Sequence, residues 1–112
     1  VYTLGEIERA THYFNENYRQ PINIEEYAAA RHMSACWFIR SFRRAVKQTP
    51  MQYILSLRMS NAQSLLEATE YNVTEVAAAV GYDDPLYFSR LFRRHTGVSP
   101  TEYRRRMNGR TT

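Results

Sequence analysis

At 112 residues, with 44% apolar and 23% charged side chains, the chain can form one compact domain or two very small ones and lies far from disordered compositions. No apolar run approaches the roughly 20 residues that span a bilayer, and the one cysteine, Cys36, excludes a disulfide framework, so a reducing cytoplasm is the expected compartment. The formal charge is +4, and fourteen of the fifteen basic residues are Arg, Lys47 being the one Lys; Arg suits bidentate contacts with phosphate and guanine, although a GC-rich genome would produce the same bias.

Apolar residues recur every three to four positions almost throughout, no stretch alternates long enough for a strand, and Gly and Pro are scarce, so an all-α fold of about seven helices is expected. The sequence opens at Val1 directly in helical periodicity, with no signal-peptide pattern, which points to a piece of a longer protein. Leu4, Ile7, Ala10 or Thr11, and Phe14 line one face of a first helix, predicted to end near Tyr18 before Pro21. Residues 24 to 31 form a short second helix. Ser34 is placed to cap a third, carrying Trp37, Phe38, Phe42, Ala45 and Val46. Thr49-Pro50 supplies the cap and first residue of a long fourth helix reaching about Ala68. Asn72 or Val73 opens a fifth to Val80, Asp84-Pro85 a sixth that stops at Gly97, and Ser99-Pro100 a seventh ending in Arg104, Arg105 and Arg106. Residues 108 to 112 are expected to be a disordered tail.

An internal repeat organises these helices. Phe38, Arg40, Phe42, Arg43, Arg44, Pro50 and Tyr53 recur fifty residues later as Phe88, Arg90, Phe92, Arg93, Arg94, Pro100 and Tyr103. Upstream the offset is 49, setting NIEEYAAARHM (23 to 33) over NVTEVAAAVGY (72 to 82), so the second turn holds one extra residue. Short helix, tight turn and capped helix make a helix-turn-helix unit. The predicted division is a first such subdomain over 1–49, a linker helix over 50–69 and a second subdomain over 70–107.

On a helical wheel Phe38, Phe42 and Ala45 share one face of the third helix, with Cys36, Ile39, Arg40 and Arg43 on the other. In the sixth helix Phe88, Phe92 and His95 oppose Leu86, Ser89, Arg90 and Arg93. Aromatic anchors on one side and Arg a turn apart on the other suit a helix in the DNA major groove, where Arg can bond guanine O6 and N7. Arg44, Arg94 and the run Arg104 to Arg106 are expected nearer the sugar-phosphate backbone. A solubilising arginine face is the bland alternative, and the duplication argues against it. A linker helix of about 18 residues spans roughly 27 Å, the scale of one DNA turn at roughly 34 Å, so one chain is expected to reach two consecutive groove segments without a twofold partner. Any misfit in spacing would bend the duplex, at about one to several kcal/mol.

The stretch VAAAVGYDDPLYFSRLFRRHTGVSPTEYR (76 to 104), with G-Y-D-D, Y-F-S-R-x-F and T-G-x-S-P-x-x-Y-R, resembles the DNA-binding domain of the AraC/XylS family of bacterial transcription regulators, and the likeness runs from about residue 6 to 106. It implies sequence-specific binding of double-stranded promoter DNA, usually for activation, with RNA polymerase as a further partner. It also implies a sensor, dimerisation or receiver domain fused to this part. Carried over, it points to Cys36, Trp37, Ile39, Arg40 and Arg43 in the first unit, with Arg44 beside them. In the second it points to Pro85, Leu86, Tyr87, Ser89, Arg90 and Arg93, with Arg94 beside them. The first unit departs from the pattern: Arg31 stands where Val80 does, His32 where Gly81 does, and Ser41 where Leu91 does. Its exposed face is unusually apolar, so Ile39 could meet a thymine methyl and Trp37 the backbone, or this surface could meet another domain.

Other chemistry is weakly signalled. His32 and Cys36 stand four apart, but no second pair completes a metal site. No phosphate-binding glycine loop or nucleophile-base set is present, so neither catalysis nor a cofactor is expected. Asp84 has a sufficient task as a helix cap. The competing reading is a helical protein-interaction module without DNA readout; single-stranded RNA binding would need a stacking platform that is not evident.

Overall fold

The computed structural model describes residues 2–110, apart from the side chains of Tyr2, Thr3 and Arg110. Seven helices and no strand occur among them: α1 (Tyr2–Asn17), α2 (Ile24–Ala30), α3 (Ala35–Val46), α4 (Pro50–Ala68), α5 (Val73–Ala79), α6 (Pro85–Thr96) and α7 (Pro100–Arg110). The chain divides into two compact units between Leu57 and Arg58, inside α4. The helix expected to be a linker therefore serves both cores, Ile54 in the first unit and Met59, Ala62 and Leu66 in the second.

From α2 to α7, each helix starts where a side chain can take up an orphan backbone N–H. Asn23 accepts from the Glu26 amide at 2.9 Å and Ser34 from the Trp37 amide at 3.1 Å. Thr49 and Gln52 cap reciprocally, as do Asn72 and Glu75, each pair closing a capping box. Asp84 accepts from the Leu86 amide at 2.9 Å and Ser99 from the Glu102 amide at 3.2 Å. α2 and α5 end alike. The His32 and Met33 amides bond back to Ala29 and Ala28, and the Gly81 and Tyr82 amides to Ala78 and Ala77. This Schellman closure needs a left-handed residue, supplied by His32 (φ 60°) in one unit and Gly81 (φ 106°) in the other. α3 and α6 likewise end on Lys47 (φ 71°) and Gly97 (φ 92°).

The first core gathers Ile7, Ala10, Phe14, Ile24, Ala28, Phe38, Phe42 and Ile54; the second gathers Met59, Ala62, Leu66, Val76, Ala77, Val80, Phe88 and Phe92. The aromatic geometry is repeated. The Phe38–Phe42 and Phe88–Phe92 centroids are both 5.8 Å apart, and Tyr53 and Tyr103 meet the Phe42 and Phe92 rings edge-on at 5.6 Å. Both tyrosine hydroxyls tie the closing helix to the opening one, Tyr53 to Asn15 and Tyr103 to Glu67.

Three expectations need correction. Leu4 is 61% exposed; the core-facing stripe of α1 begins only at Ile7. Ala45 and His95 are exposed as well, because the last turns of α3 and α6 run past the aromatic core. The tail expected from residue 108 is helical through Arg110. Glu102 holds Arg105 at 2.7 Å and Arg106 at 2.9 Å on one face, and such pairs at three- and four-residue spacing support a helix whatever its polarity. Thr111 and Thr112 lie outside the described residues.

Candidate nucleic-acid interface

α3 and α6 are held to their units by Phe38 and Phe42, and by Phe88 and Phe92, all fully buried. At about 100° per residue, the opposite side of each helix is filled by the positions two before, two after and five after the first Phe. These are Cys36, Arg40 and Arg43 in α3, and Leu86, Arg90 and Arg93 in α6, and all six are exposed. Arg44 and Arg94, also exposed, lie one residue further round. Ile39 is at the edge of exposure, Trp37, Pro85 and Ser89 are half-buried, and Tyr87 is exposed with its ring edge-on to Tyr82 at 5.9 Å. The structure thus places every residue singled out on these helices outside the core.

Among the described residues, the ion pairs join Glu6 to Arg9 and Arg31 and Glu102 to Arg105 and Arg106; none takes up an arginine of α3 or α6. Arg43, Arg44, Arg93 and Arg94 occupy last turns, where the helix dipole favours cations. The positive charge of both faces therefore remains available for an outside anion. In α3 the Arg40 Nη2 donates to Cys36 Sγ at 3.2 Å, which lays that guanidinium back along its own helix.

The Arg104 to Arg106 run behaves differently from the expectation. Arg104 donates to the Leu66 carbonyl at 3.0 Å and the Thr69 carbonyl at 3.2 Å, satisfying the C-terminal end of α4. Arg105 and Arg106 are drawn to Glu102, whose hydrogen bond from Arg105 holds its carboxyl below the usual range. A basic run had signalled phosphate contact, but a neighbouring carboxylate and the carbonyls at the end of α4 already engage it.

Sequence reading also missed the polar join of α1 to α2. Arg31 donates to both Glu6 oxygens, at 3.0 and 3.1 Å. That hydrogen bond, against the opposing effect of burial and with the nearby Arg9 charge, lowers the Glu6 pKa. The apolar stripe of α1 is itself repeated: Ile7, Ala10 and Phe14 recur at an offset of 52 as Met59, Ala62 and Leu66, extending the repeat into α1 and α4, while Glu6 is replaced by Arg58.

A family model described as a helix-turn-helix domain matches residues 27–106. A probable AraC family transcriptional regulator from Rhodopseudomonas palustris superposes with a TM-score of 0.76 at 28% identity, covering 90% of each chain. The chain belongs to the AraC/XylS family. Among AraC/XylS-type structures, the DNA-binding domain of the global transcriptional factor AdpA, solved in complex with a target DNA, matches with a TM-score of 0.86 at 33% identity, covering 93% of this chain and 94% of that one. The MmsAB operon regulatory protein of Pseudomonas aeruginosa is 37% identical over 95 residues, which is 85% of this chain but 31% of that protein. The chain thus spans about a third of that relative's length and is the helix-turn-helix DNA-binding domain of a transcription regulator.

Proposed function

We propose that α3 and α6 each enter a major-groove segment of promoter DNA, with Arg40 and Arg90 leading the base readout. Arg43, Arg93 and the flanking Cys36, Ile39, Leu86 and Ser89 complete the base-facing surfaces. Arg44 and Arg94, with Trp37, Pro85 and Tyr87 at the helix flanks, meet the backbone. The observation that carries this reading is the duplicated outward arginine pair, Arg40 with Arg43 and Arg90 with Arg93, each opposite a fully buried phenylalanine pair and unneutralised by any described carboxylate. A merely solubilising surface has no reason to repeat its arginines at the same places in two units. The two segments are consecutive, so a single chain suffices for one site.

In this reading the domain works in the cytoplasm as part of a longer regulator. It recruits RNA polymerase to activate transcription under control of a further sensor, dimerisation or receiver domain. It performs no catalysis and takes no cofactor.

Selection of duplexes from a random pool tests the readout, run with wild type, Arg40→Ala and Arg90→Ala. A two-part motif with each variant relaxing one part establishes base reading by both helices. If only Arg90→Ala changes the motif, α3 clamps phosphates without reading bases. No enrichment even at low salt overturns the DNA reading in favour of a protein-interaction module.

A further inference from the structure

Leu86 has the highest exposure of the large apolar side chains described as exposed, at 70%. It sits in the first turn of α6, on the side carrying Arg90 one turn later and Arg93 after that. Its backbone is fixed, because its amide donates to the Asp84 carboxylate at 2.9 Å in the cap that starts the helix. The neighbouring Tyr87 is braced against Tyr82, whereas the Leu86 side chain projects to solvent. A single exposed leucine on a surface needs no explanation in general. This one stands in line with the arginines, at the end of the helix where groove contact begins.

The major-groove feature that an aliphatic side chain can recognise is the 5-methyl group of thymine. We infer that Leu86 reads a thymine methyl beside the base pair contacted by Arg90, which makes the second unit selective for thymine at that position. The inference rests on α6 being a groove-reading helix. The equivalent place in the first unit is Cys36, whose sulfur accepts a hydrogen bond from Arg40, so this methyl contact has no counterpart at the same helix position in the first unit.

The test uses the duplex enriched by the wild-type chain, with each thymine replaced in turn by deoxyuridine, which lacks only the methyl. In the part of the motif that Arg90→Ala relaxes, one replacement should weaken wild-type binding by about threefold to fivefold, the value of one buried methyl group. Leu86→Ala should bind the thymine and uracil duplexes equally and keep the wild-type melting temperature. Equal wild-type binding to every thymine and uracil pair overturns methyl reading while leaving DNA reading intact. A thymine preference that survives in Leu86→Ala also overturns it, because the preference then arises from duplex shape. Failure to enrich any duplex removes both inferences together.

Discussion

Arg31 closes on Glu6 from the end of α2, its Nε 3.0 Å from Oε2 and its Nη2 3.1 Å from Oε1, while Arg9 donates to Oε1 at 2.8 Å. The equivalent place in the second unit is built differently. Val80 is fully buried there, and the Arg58 guanidinium lies over the Tyr82 ring, 4.9 Å from its centroid. One unit fills the junction with a hydrogen-bonded ion cluster and the other with an aliphatic side chain and a cation–π contact.

The ion cluster makes the first unit sensitive to acid. Hydrogen bonding from Arg31 lowers the folded-state pKa of Glu6, so the associated stability is fully present above the ordinary glutamate range. It is lost as pH falls through the lowered value. Glu6→Gln should flatten this dependence, with its largest deficit near neutral pH and convergence with wild type in acid. Thermal melts from pH 7 to pH 3, an interval spanning the usual glutamate pKa of about 4.3, would check this; parallel curves for the two proteins would refute it.

The left-handed residues give a second prediction. His32 and Lys47 hold φ values of 60° and 71° where Gly81 and Gly97 serve the second unit. A side chain in this region costs roughly 1–2 kcal/mol per residue, partly offset by the freedom glycine adds to the unfolded chain. His32→Gly and Lys47→Gly should each stabilise by about 0.5–1 kcal/mol, measured by urea unfolding.

Salt dependence separates the arginines by their task. Arg94→Ala should reduce the slope of log affinity against log salt by about one, as expected for a lost phosphate contact. Arg104→Ala should leave that slope unchanged and lower the melting temperature, since its guanidinium serves the Leu66 and Thr69 carbonyls. Titrations from about 50 to 200 mM salt distinguish the two.

The tyrosine ties form a further pair of tests. Tyr53→Phe removes the bond to Asn15 and Tyr103→Phe that to Glu67, and each rim-exposed bond should contribute about 0.5–1 kcal/mol. Both variants keep the ring against Phe42 or Phe92 and should bind DNA with unaltered sequence preference. Calorimetric melting combined with duplex selection would register the first effect and exclude the second.

How much of this was legible depended on whether the information was local. Ser34, Thr49, Asn72, Asp84 and Ser99 revealed the helix starts because a cap acts within three residues. The paired phenylalanines and outward arginines were legible because helical periodicity sorts them. Arg104 was not, since the carbonyls it serves are 35 and 38 residues away in the chain. Glu6 and Arg31 escaped for the same reason, lying 25 residues apart. Ala45 and His95 kept the core periodicity after the core itself had ended, which a wheel cannot detect.

The division of labour within α6 has a consequence for how such a regulator can change over generations. Phe88, Phe92 and the capping Asp84 secure the helix, while Leu86, Arg90 and Arg93 contribute to no described core contact or ion pair. If α6 reads DNA as proposed above, substitutions at those three outward positions would retarget the domain to new promoters without first compromising its folding. Regulatory wiring can drift on one side of a helix while its architecture is preserved on the other.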